Sequence, residues 1–268
     1  MDASISNIEF ARFQQFIYQA AGIQLSDAKK SLVSSRLAGR LRQRAVASFG
    51  EYFQLISSAS EAAETQIAID LLTTNETYFF RERKHFDLLR RVTAERLSSP
   101  REFRVWSAAS SSGEEAYSIA MVLAQQLGER PWEVFASDLS TRVLARARAG
   151  HYPMERATQI PRDFLQRFCL KGTGPQQGTL LVAPELRARV RFEQVNLTRP
   201  LPDVGQFDVI FLRNVMIYFD VKTKRTVVDA LRSKLRPGGY FLIGHSETLH
   251  GIDDRFTALA PATYQKPV

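Results

Sequence analysis

The stretch WSAASSSGEEAYSIA, Trp106 to Ala120, decides the fold of this 268-residue chain. Apolar residues of strand length lead into a serine-rich turn with a single glycine, Gly113, and a helical segment follows from Glu115 to Leu127. A strand, a tight turn and a helix form the first unit of an open α/β sheet, in which ligands bind beyond the carboxyl ends of the strands. The motif therefore predicts an α/β domain and places its binding site near this turn.

Further short apolar runs alternate with helical segments after Pro100. The runs of strand length are Phe103 to Ala109, Val134 to Ser137, Val190 to Val195, Phe207 to Leu212 and Tyr240 to Gly244. The helical segments are Glu115 to Leu127, Thr141 to Ala149 and Lys222 to Leu235. This alternation predicts crossover connections and a mostly parallel sheet. The turn-rich KGTGPQQG, Lys171 to Gly178, interrupts it and indicates either a small β-hairpin insertion or a surface loop.

The first part of the chain has a helical pattern instead, with Phe10, Phe13, Ile17 and Ala20 at a spacing of three to four residues. We therefore predict an all-α domain over residues 1–72 and an α/β domain over residues 73–268. The β insertion is expected at about residues 162–192 of the second domain.

Basic residues form a stripe in the predicted helical domain. Arg36, Arg40 and Arg44 recur every four residues, so they share one face of a helix whose neighbouring face is apolar. No acidic residue occurs between Ala28 and Gly50. Most such patterns are solvated helix surfaces, but the absence of a compensating glutamate favours a docking face for an acidic partner.

The composition limits the class of protein. An apolar fraction of 44% and a charged fraction of 24% are typical of globular chains. A net charge of +8 indicates an acidic partner, which could be nucleic acid, a membrane surface or a protein. The N-terminus has no signal-peptide pattern, and no long apolar run is present, so we expect a soluble, unexported protein that is not inserted in a membrane. The single cysteine, Cys169, cannot form an internal disulfide or a multi-cysteine metal site.

The turn SSSGEE, Ser110 to Glu115, favours a cationic ligand. It has one glycine where a dinucleotide fingerprint has three, and Glu114 and Glu115 would repel a phosphate. S-adenosylmethionine carries an ammonium and a sulfonium and no phosphate, so it suits this turn better than NAD. The same glutamates could also serve only as favourable charges at a helix N-terminus.

Polar side chains follow other predicted strands. Asp138 lies about twenty-five residues after Gly113, where a carboxylate commonly accepts hydrogen bonds from ribose hydroxyls. It could equally be the N-cap of the helix that begins near Ser140. Other strand ends carry side chains that we expect to face the same crevice: Asn196, Leu197, Arg213 and Asn214.

The run TNETYFFRE, Thr74 to Glu82, combines polar side chains, three aromatics and an arginine where the two parts of the chain meet. Alone, it fits a helix cap with Tyr78, Phe79 and Phe80 in the core. Together with WSAASSSGEEAYSIA, FASDLS, LRNVMIYF and GHSE, it resembles the CheR-type chemotaxis receptor methyltransferases over essentially the whole chain. Ala116 stands where many relatives have proline, a change that we expect to leave activity unaltered.

This resemblance implies a Rossmann-like class I methyltransferase sheet, an N-terminal all-α domain and a small antiparallel β insertion, which in some members binds a peptide at the receptor's C-terminus. It implies methyl transfer from S-adenosylmethionine to glutamates on the cytoplasmic helices of chemoreceptors, giving methyl esters and S-adenosylhomocysteine, for chemotactic adaptation at receptor arrays in the cytoplasm. The positions that match cofactor contacts are Asn75, Thr77, Arg81, Glu115, Asp138, Asn196, Leu197, Arg213 and Asn214, and Arg81 and Tyr218 match residues near the transferred methyl group.

The expected substrate needs no general base, because a glutamate with a pKa near 4.3 is already anionic at neutral pH. His245 is therefore interpreted as structural, and no metal is expected. Two alternatives stay open. A nucleic-acid methyltransferase would also be basic, although the region from Ala28 to Gly50 lacks the interleaved aromatics that stack on bases. A non-catalytic scaffold would bind the cofactor and transfer nothing.

Overall fold

The computed structural model describes residues 4–268, so the first three residues of the predicted helical domain lie outside the described residues. Over residues 4–72, four α-helices form the N-terminal unit: α1 (Asn7–Ala21), α2 (Lys30–Gln43), α3 (Phe49–Ile56) and α4 (Ala62–Leu72). Ser6 begins α1 with a capping box, in which its hydroxyl and the Glu9 carboxylate accept from each other's backbone amides. The apolar faces of the helices meet in one core that includes Phe13, Leu37 and Tyr52.

The second part of the chain forms a seven-stranded sheet. Its strands are β1 (Phe103–Ser107), β2 (Trp132–Asp138), β6 (Val190–Gln194), β7 (Phe207–Leu212), β8 (Leu235–Ile243), β9 (Thr257–Ala260) and β10 (Thr263–Gln265). The order across the sheet is β6-β2-β1-β7-β8-β10-β9, and only the pairs that involve β10 are antiparallel. The α/β class and the mostly parallel sheet are confirmed, while the two C-terminal strands were not predicted.

Helices cover both faces of this sheet. They are α5 (Lys84–Glu95), α6 (Glu114–Leu127), α7 (Thr141–Ala149) and α10 (Val221–Lys234). One apolar core contains side chains of α5, α6 and α7, and a second core on the opposite face contains Val227, Val228 and Leu231 of α10. This two-sided cover explains why β7 is buried along its whole length and reads as a continuous apolar run.

A second, three-stranded antiparallel sheet confirms the β insertion. Its strands are β3 (His151–Pro153), β4 (Cys169–Lys171) and β5 (Thr179–Val182) in the order β3-β5-β4, with the short helices α8 (Arg162–Phe168) and α9 (Pro184–Arg187) beside them. The turn-rich KGTGPQQG segment joins β4 to β5 as a hairpin rather than forming only a surface loop. The expected range of 162–192 omits β3 and includes the first residues of β6. Within residues 4–268, no helix combines the length and apolar character that crossing a bilayer requires.

Candidate active site

A cleft lies at the carboxyl ends of β1, β2, β6 and β7, where the helical unit meets the sheet. It brings together every residue that the sequence predicted for the cofactor, and Tyr218 with them: Asn75, Thr77, Arg81, Glu115, Asp138, Asn196, Leu197, Arg213, Asn214 and Tyr218. These residues come from segments that are up to about 140 positions apart in the chain. Their convergence on one cleft agrees with the expected position of a ligand in an open α/β sheet; the role of each residue stays a prediction.

The turn between β1 and α6 needs glycine at one position. Gly113 has a φ of +97°, and a Cβ atom there would lie 2.9 Å from both the Cβ of Ala147 and the hydroxyl of Tyr152. The turn separates the two glutamates that follow it. Both glutamates are buried, but Glu115 lines the cleft, whereas Glu114 accepts from the Ser112 hydroxyl at 2.7 Å and lies outside the cleft lining. Only one carboxylate of the predicted pair is therefore available to a ligand.

An ion-pair network forms one wall of the cleft. The buried guanidinium of Arg213 lies between two carboxylates, with Nη1 donating to Glu115 at 2.9 Å and Nη2 lying 3.1 Å from Glu82. Ser107 donates to the other oxygen of Glu115 at 2.7 Å. Burial raises the pKa of Glu115, and the charge of Arg213 opposes that rise. The network presents a carboxylate and a guanidinium side by side, which matches the ammonium and carboxylate at the amino-acid end of S-adenosylmethionine.

Asp138 holds the two turns that border the cleft. One of its carboxylate oxygens accepts from the backbone amide of Ser111, and the other accepts from that of Ser140, both at 2.9 Å. Burial raises the pKa of Asp138, while the two amides act in the opposite direction. The N-cap of α7 is Ser140, not Asp138, because the Ser140 hydroxyl accepts from the amide of Val143.

The segment TNETYFFRE crosses from the helical unit to the sheet as an extended chain and a turn. Phe79 and Phe80 are buried, whereas Tyr78 is 44% exposed, so the interpretation of Tyr78 as a core residue is wrong. Phe80 and Glu82 have φ values of +54° and +58°, which are strained for residues with side chains. This geometry keeps Arg81 at the cleft, with its guanidinium 5.6 Å from the Tyr78 ring.

The helical unit contributes directly to the cleft, which the sequence did not predict. Ala21 and Ile23 line the cleft, and Asn196 donates to the carbonyl of Ala20 at 2.7 Å. The amide of Gln24 donates to the carbonyl of Tyr218 at 2.8 Å. A glycine after the helical pattern of α1, at Gly22, was visible in the sequence, but its φ of +70° and its close approach to neighbouring side chains are seen only in the structure.

Two further glutamates support the cleft and were also missed. Glu247, in the GHSE motif, accepts from the amides of Gly244, Asn214 and Ile217, and so fixes the loop that follows β7. Glu82 holds Arg213, as described above. Both glutamates lie in motifs of the family resemblance, but sequence spacing gives no indication that these carboxylates support the cleft wall.

The basic stripe of α2 does not form an uncompensated outer face. Arg40 donates to Glu64 through Nε at 2.8 Å, and Glu64 is 2% exposed. Arg44 lies 2.8 Å from Glu61, and Arg36 donates to the carbonyls at positions 72 and 73. The expectation was wrong in this respect because the compensating glutamates come from α4 and its N-terminal turn, outside the window that was free of acidic residues.

The strand order and the cleft at the carboxyl edge of the sheet define a class I methyltransferase fold. Two family models match the chain, one described as the CheR methyltransferase SAM-binding domain over residues 75–264 and one as the CheR methyltransferase all-alpha domain over residues 8–73. The chain therefore belongs to the CheR methyltransferase family.

Relatives match both parts of the chain. The chemotaxis protein methyltransferase of Escherichia coli strain K12 is 44% identical over 264 residues, which cover 97% of this chain and 91% of the relative. Chemotaxis protein methyltransferase 2 of Pseudomonas aeruginosa is 45% identical over 242 residues, 89% of this chain and 86% of the relative. Among solved structures, the N-methyltransferase NodS from Bradyrhizobium japonicum WM9 aligns with a TM-score of 0.41 at 16% identity, over 70% of this chain and 97% of NodS.

Proposed function

We propose that this protein transfers a methyl group from S-adenosylmethionine to glutamate side chains on the cytoplasmic helices of chemoreceptors. The products are glutamate methyl esters and S-adenosylhomocysteine, and the reaction serves chemotactic adaptation at receptor arrays in the cytoplasm. The observation that carries the proposal is the convergence of all ten predicted cofactor and catalytic residues on one cleft. Membership of the CheR methyltransferase family supports the same reaction class.

The cleft suits the cofactor in its charge pattern. Glu115 would bind the ammonium of the amino-acid end, and Arg213 would bind its carboxylate. The ion pair between Glu115 and Arg213, at 2.9 Å, already fixes the orientation of both side chains. Asp138 would accept from ribose hydroxyls with the lone pairs that its two backbone amides leave free. Leu197, which is buried at the cleft, offers an apolar contact to the adenine. Bound S-adenosylmethionine supplies the electrophilic sulfonium methyl group.

The protein groups near the reacting atoms would orient the substrate rather than move protons. A glutamate carboxylate is already a nucleophile at neutral pH, so catalysis requires its alignment and the exclusion of water. Arg81 donates through Nη1 to the carbonyl of Glu76 at 3.2 Å. Within residues 4–268, its Nη2 donates to no protein acceptor, so this group would hold one oxygen of the substrate carboxylate. Tyr218 would orient the other oxygen or wall the pocket.

The receptor would dock against the helical unit. Arg44 keeps 34% of its side chain exposed and would meet acidic receptor helices, while Arg36 and Arg40 would mainly hold α2 in place. The small sheet of β3, β4 and β5 would bind a receptor C-terminal peptide in receptors that carry one. We propose both contacts, that of the receptor helices with the helical unit and that of the peptide with the small sheet, by analogy with members of the family.

Methyl transfer from labelled S-adenosylmethionine to membranes that carry chemoreceptors would test the reaction, with mild base releasing volatile methanol from methyl esters. Arg81→Ala should bind the cofactor but lose transfer by about 100-fold, because the carboxylate is no longer aligned. Arg83→Ala is the matched control, since this exposed arginine lies two residues away and contacts Gln159 instead. Base-stable label, label on nucleic acid, or undiminished transfer by Arg81→Ala would contradict the proposal.

A further inference from the structure

Three potential metal ligands meet behind the wall of the cleft. Glu82 ends the TNETYFFRE segment, His85 lies in the first turn of α5, and His245 follows β8. One ligand atom from each residue lies within 4.8 Å of the others. Nδ1 of His85 is 3.5 Å and Nε2 of His245 is 3.8 Å from the same oxygen of Glu82. Glu82 and His85 are three residues apart, but His245 is distant in the chain, so the fold completes this cluster.

His85 is buried without a hydrogen-bond partner among the described residues. Its side chain is 2% exposed, and among residues 4–268 neither ring nitrogen finds a hydrogen-bond partner. A buried polar group without a partner is costly, so such groups commonly mark the position of a ligand or ion. A neutral imidazole nitrogen with a free lone pair is the form of histidine that binds metals.

The net charge of the groups around the cluster is compatible with a bound cation. Arg213, one of the positive groups nearby, lies 3.1 Å from the same Glu82 oxygen. Glu115 balances Arg213 from the other side at 2.9 Å, so the three ionised groups together carry one negative charge. His245 is half exposed and borders a surface groove that also contacts His85, which provides an entry path and an open coordination position.

We propose that Glu82, His85 and His245 form a binding site for one divalent transition-metal ion, of which Zn²⁺ is the reference. Two imidazoles and one carboxylate suit zinc, cobalt or nickel and do not suit Mg²⁺ or Ca²⁺, which prefer oxygen ligands. Zinc–ligand bonds of about 2.0–2.2 Å in a tetrahedral site place neighbouring ligand atoms roughly 3.3–3.6 Å apart. The observed separations of 3.5 and 3.8 Å from the Glu82 oxygen are close to this range, and one ligand atom of each residue lies within 4.8 Å of the others. The fourth position would face the groove.

The test is metal binding by the full chain, with any histidine tag removed and bound ions stripped with a chelator. Co²⁺ is titrated while the visible absorption of low-symmetry cobalt is followed, and Zn²⁺ is then used to displace it. We expect one equivalent bound, and roughly 10-fold or more weaker binding in His245→Ala and in His85→Asn. His245→Ala is the more informative variant, because its exposed side chain can be removed without opening the core.

His250→Ala is the matched control, since His250 is also exposed, lies five residues further along the chain and is not part of the cluster. It should bind Co²⁺ as the wild type does. The proposal is overturned if the wild type binds no stoichiometric metal, or if His245→Ala binds it as tightly as His250→Ala. Because methyl transfer is not measured, either result is independent of the function proposed above.

Discussion

Glu115 illustrates how one buried carboxylate can serve both the fold and a ligand. Both of its oxygens already have partners, Ser107 on one side and Arg213 on the other. The carboxylate is therefore held rigidly, and a cationic ligand would meet it without having to order it first. Its neighbour Glu114 is equally buried but belongs to a different environment, next to Ser112 and Arg156.

Glu115→Gln should weaken S-adenosylmethionine binding by about 10-fold to 100-fold, because the charge that would face the ammonium is lost while the shape is kept. Calorimetric titration of the purified chain measures this change. Glu114→Gln is the control and should bind the cofactor normally, since Glu114 lies outside the cleft lining. Equal affinity in the two variants would show that the Glu115 charge does not bind the cofactor.

The pairing of α2 with α4 depends on a charge contact at an otherwise apolar junction. Glu64 of α4 is almost fully buried and accepts hydrogen bonds from Arg40 of α2 and from the hydroxyl of Tyr52. A buried carboxylate is tolerated only where such partners compensate its lost hydration. The two helices are thus held in one register by Arg40 as well as by their apolar faces.

Arg40→Ala should destabilise the protein by about 3 kcal/mol, because it leaves Glu64 buried without its main partner. Chemical denaturation, followed by circular dichroism, measures the free energy of unfolding. Arg42→Ala, an exposed position on the same helix, should change stability by less than about 0.5 kcal/mol. Similar losses in the two variants would mean that the Arg40–Glu64 pair is not what joins the helices.

The same pair predicts a pH dependence. The hydrogen bond from Arg40 is the largest influence on Glu64 and lowers its pKa below 4.5 in the folded state. The stabilisation is therefore fully present above pH 4.5 and is lost as the pH falls through the folded-state pKa. The difference in unfolding free energy between wild type and Glu64→Gln should shrink below pH 4.5. A constant difference across that range would contradict this linkage.

The helical unit and the sheet are joined by a carboxylate that crosses their boundary. Asp70, near the end of α4, accepts from the backbone amides of Thr141 and Arg142 at 3.1 and 3.0 Å, and from the Thr141 hydroxyl at 2.8 Å. It therefore satisfies free amides at the N-terminus of α7 and places a negative charge at the positive end of that helix. Because α7 begins just after Asp138, this contact links the helical unit to the cleft.

Asp70→Asn should reduce stability by about 1–3 kcal/mol and should separate the unfolding of the two units into distinct calorimetric steps. The loss reflects weaker acceptance at the α7 amides and the removal of charge from the helix end. Asp163→Asn provides the comparison, since Asp163 lies exposed in the first turn of α8 and crosses no boundary. A single transition at the wild-type temperature in Asp70→Asn would argue against this role.

Local patterns were sufficient to predict the α/β class, the mostly parallel sheet and the helical character of the first part, whereas Asn75, Thr77, Arg81 and Tyr218 were implied only by the family resemblance. Strand length, helical period and the glycine in the SSSGEE turn are features of a few neighbouring residues, so they can be recognised from the sequence alone.

Tertiary packing alone decided the partners of the charged groups. The glutamates that pair with Arg40 and Arg44, the α1 end that closes the cleft, and the cluster of Glu82, His85 and His245 all join segments distant in sequence. Side-chain charge is encoded at each position, but its electrostatic environment exists only when distant elements come together, and this is why the basic stripe was misread.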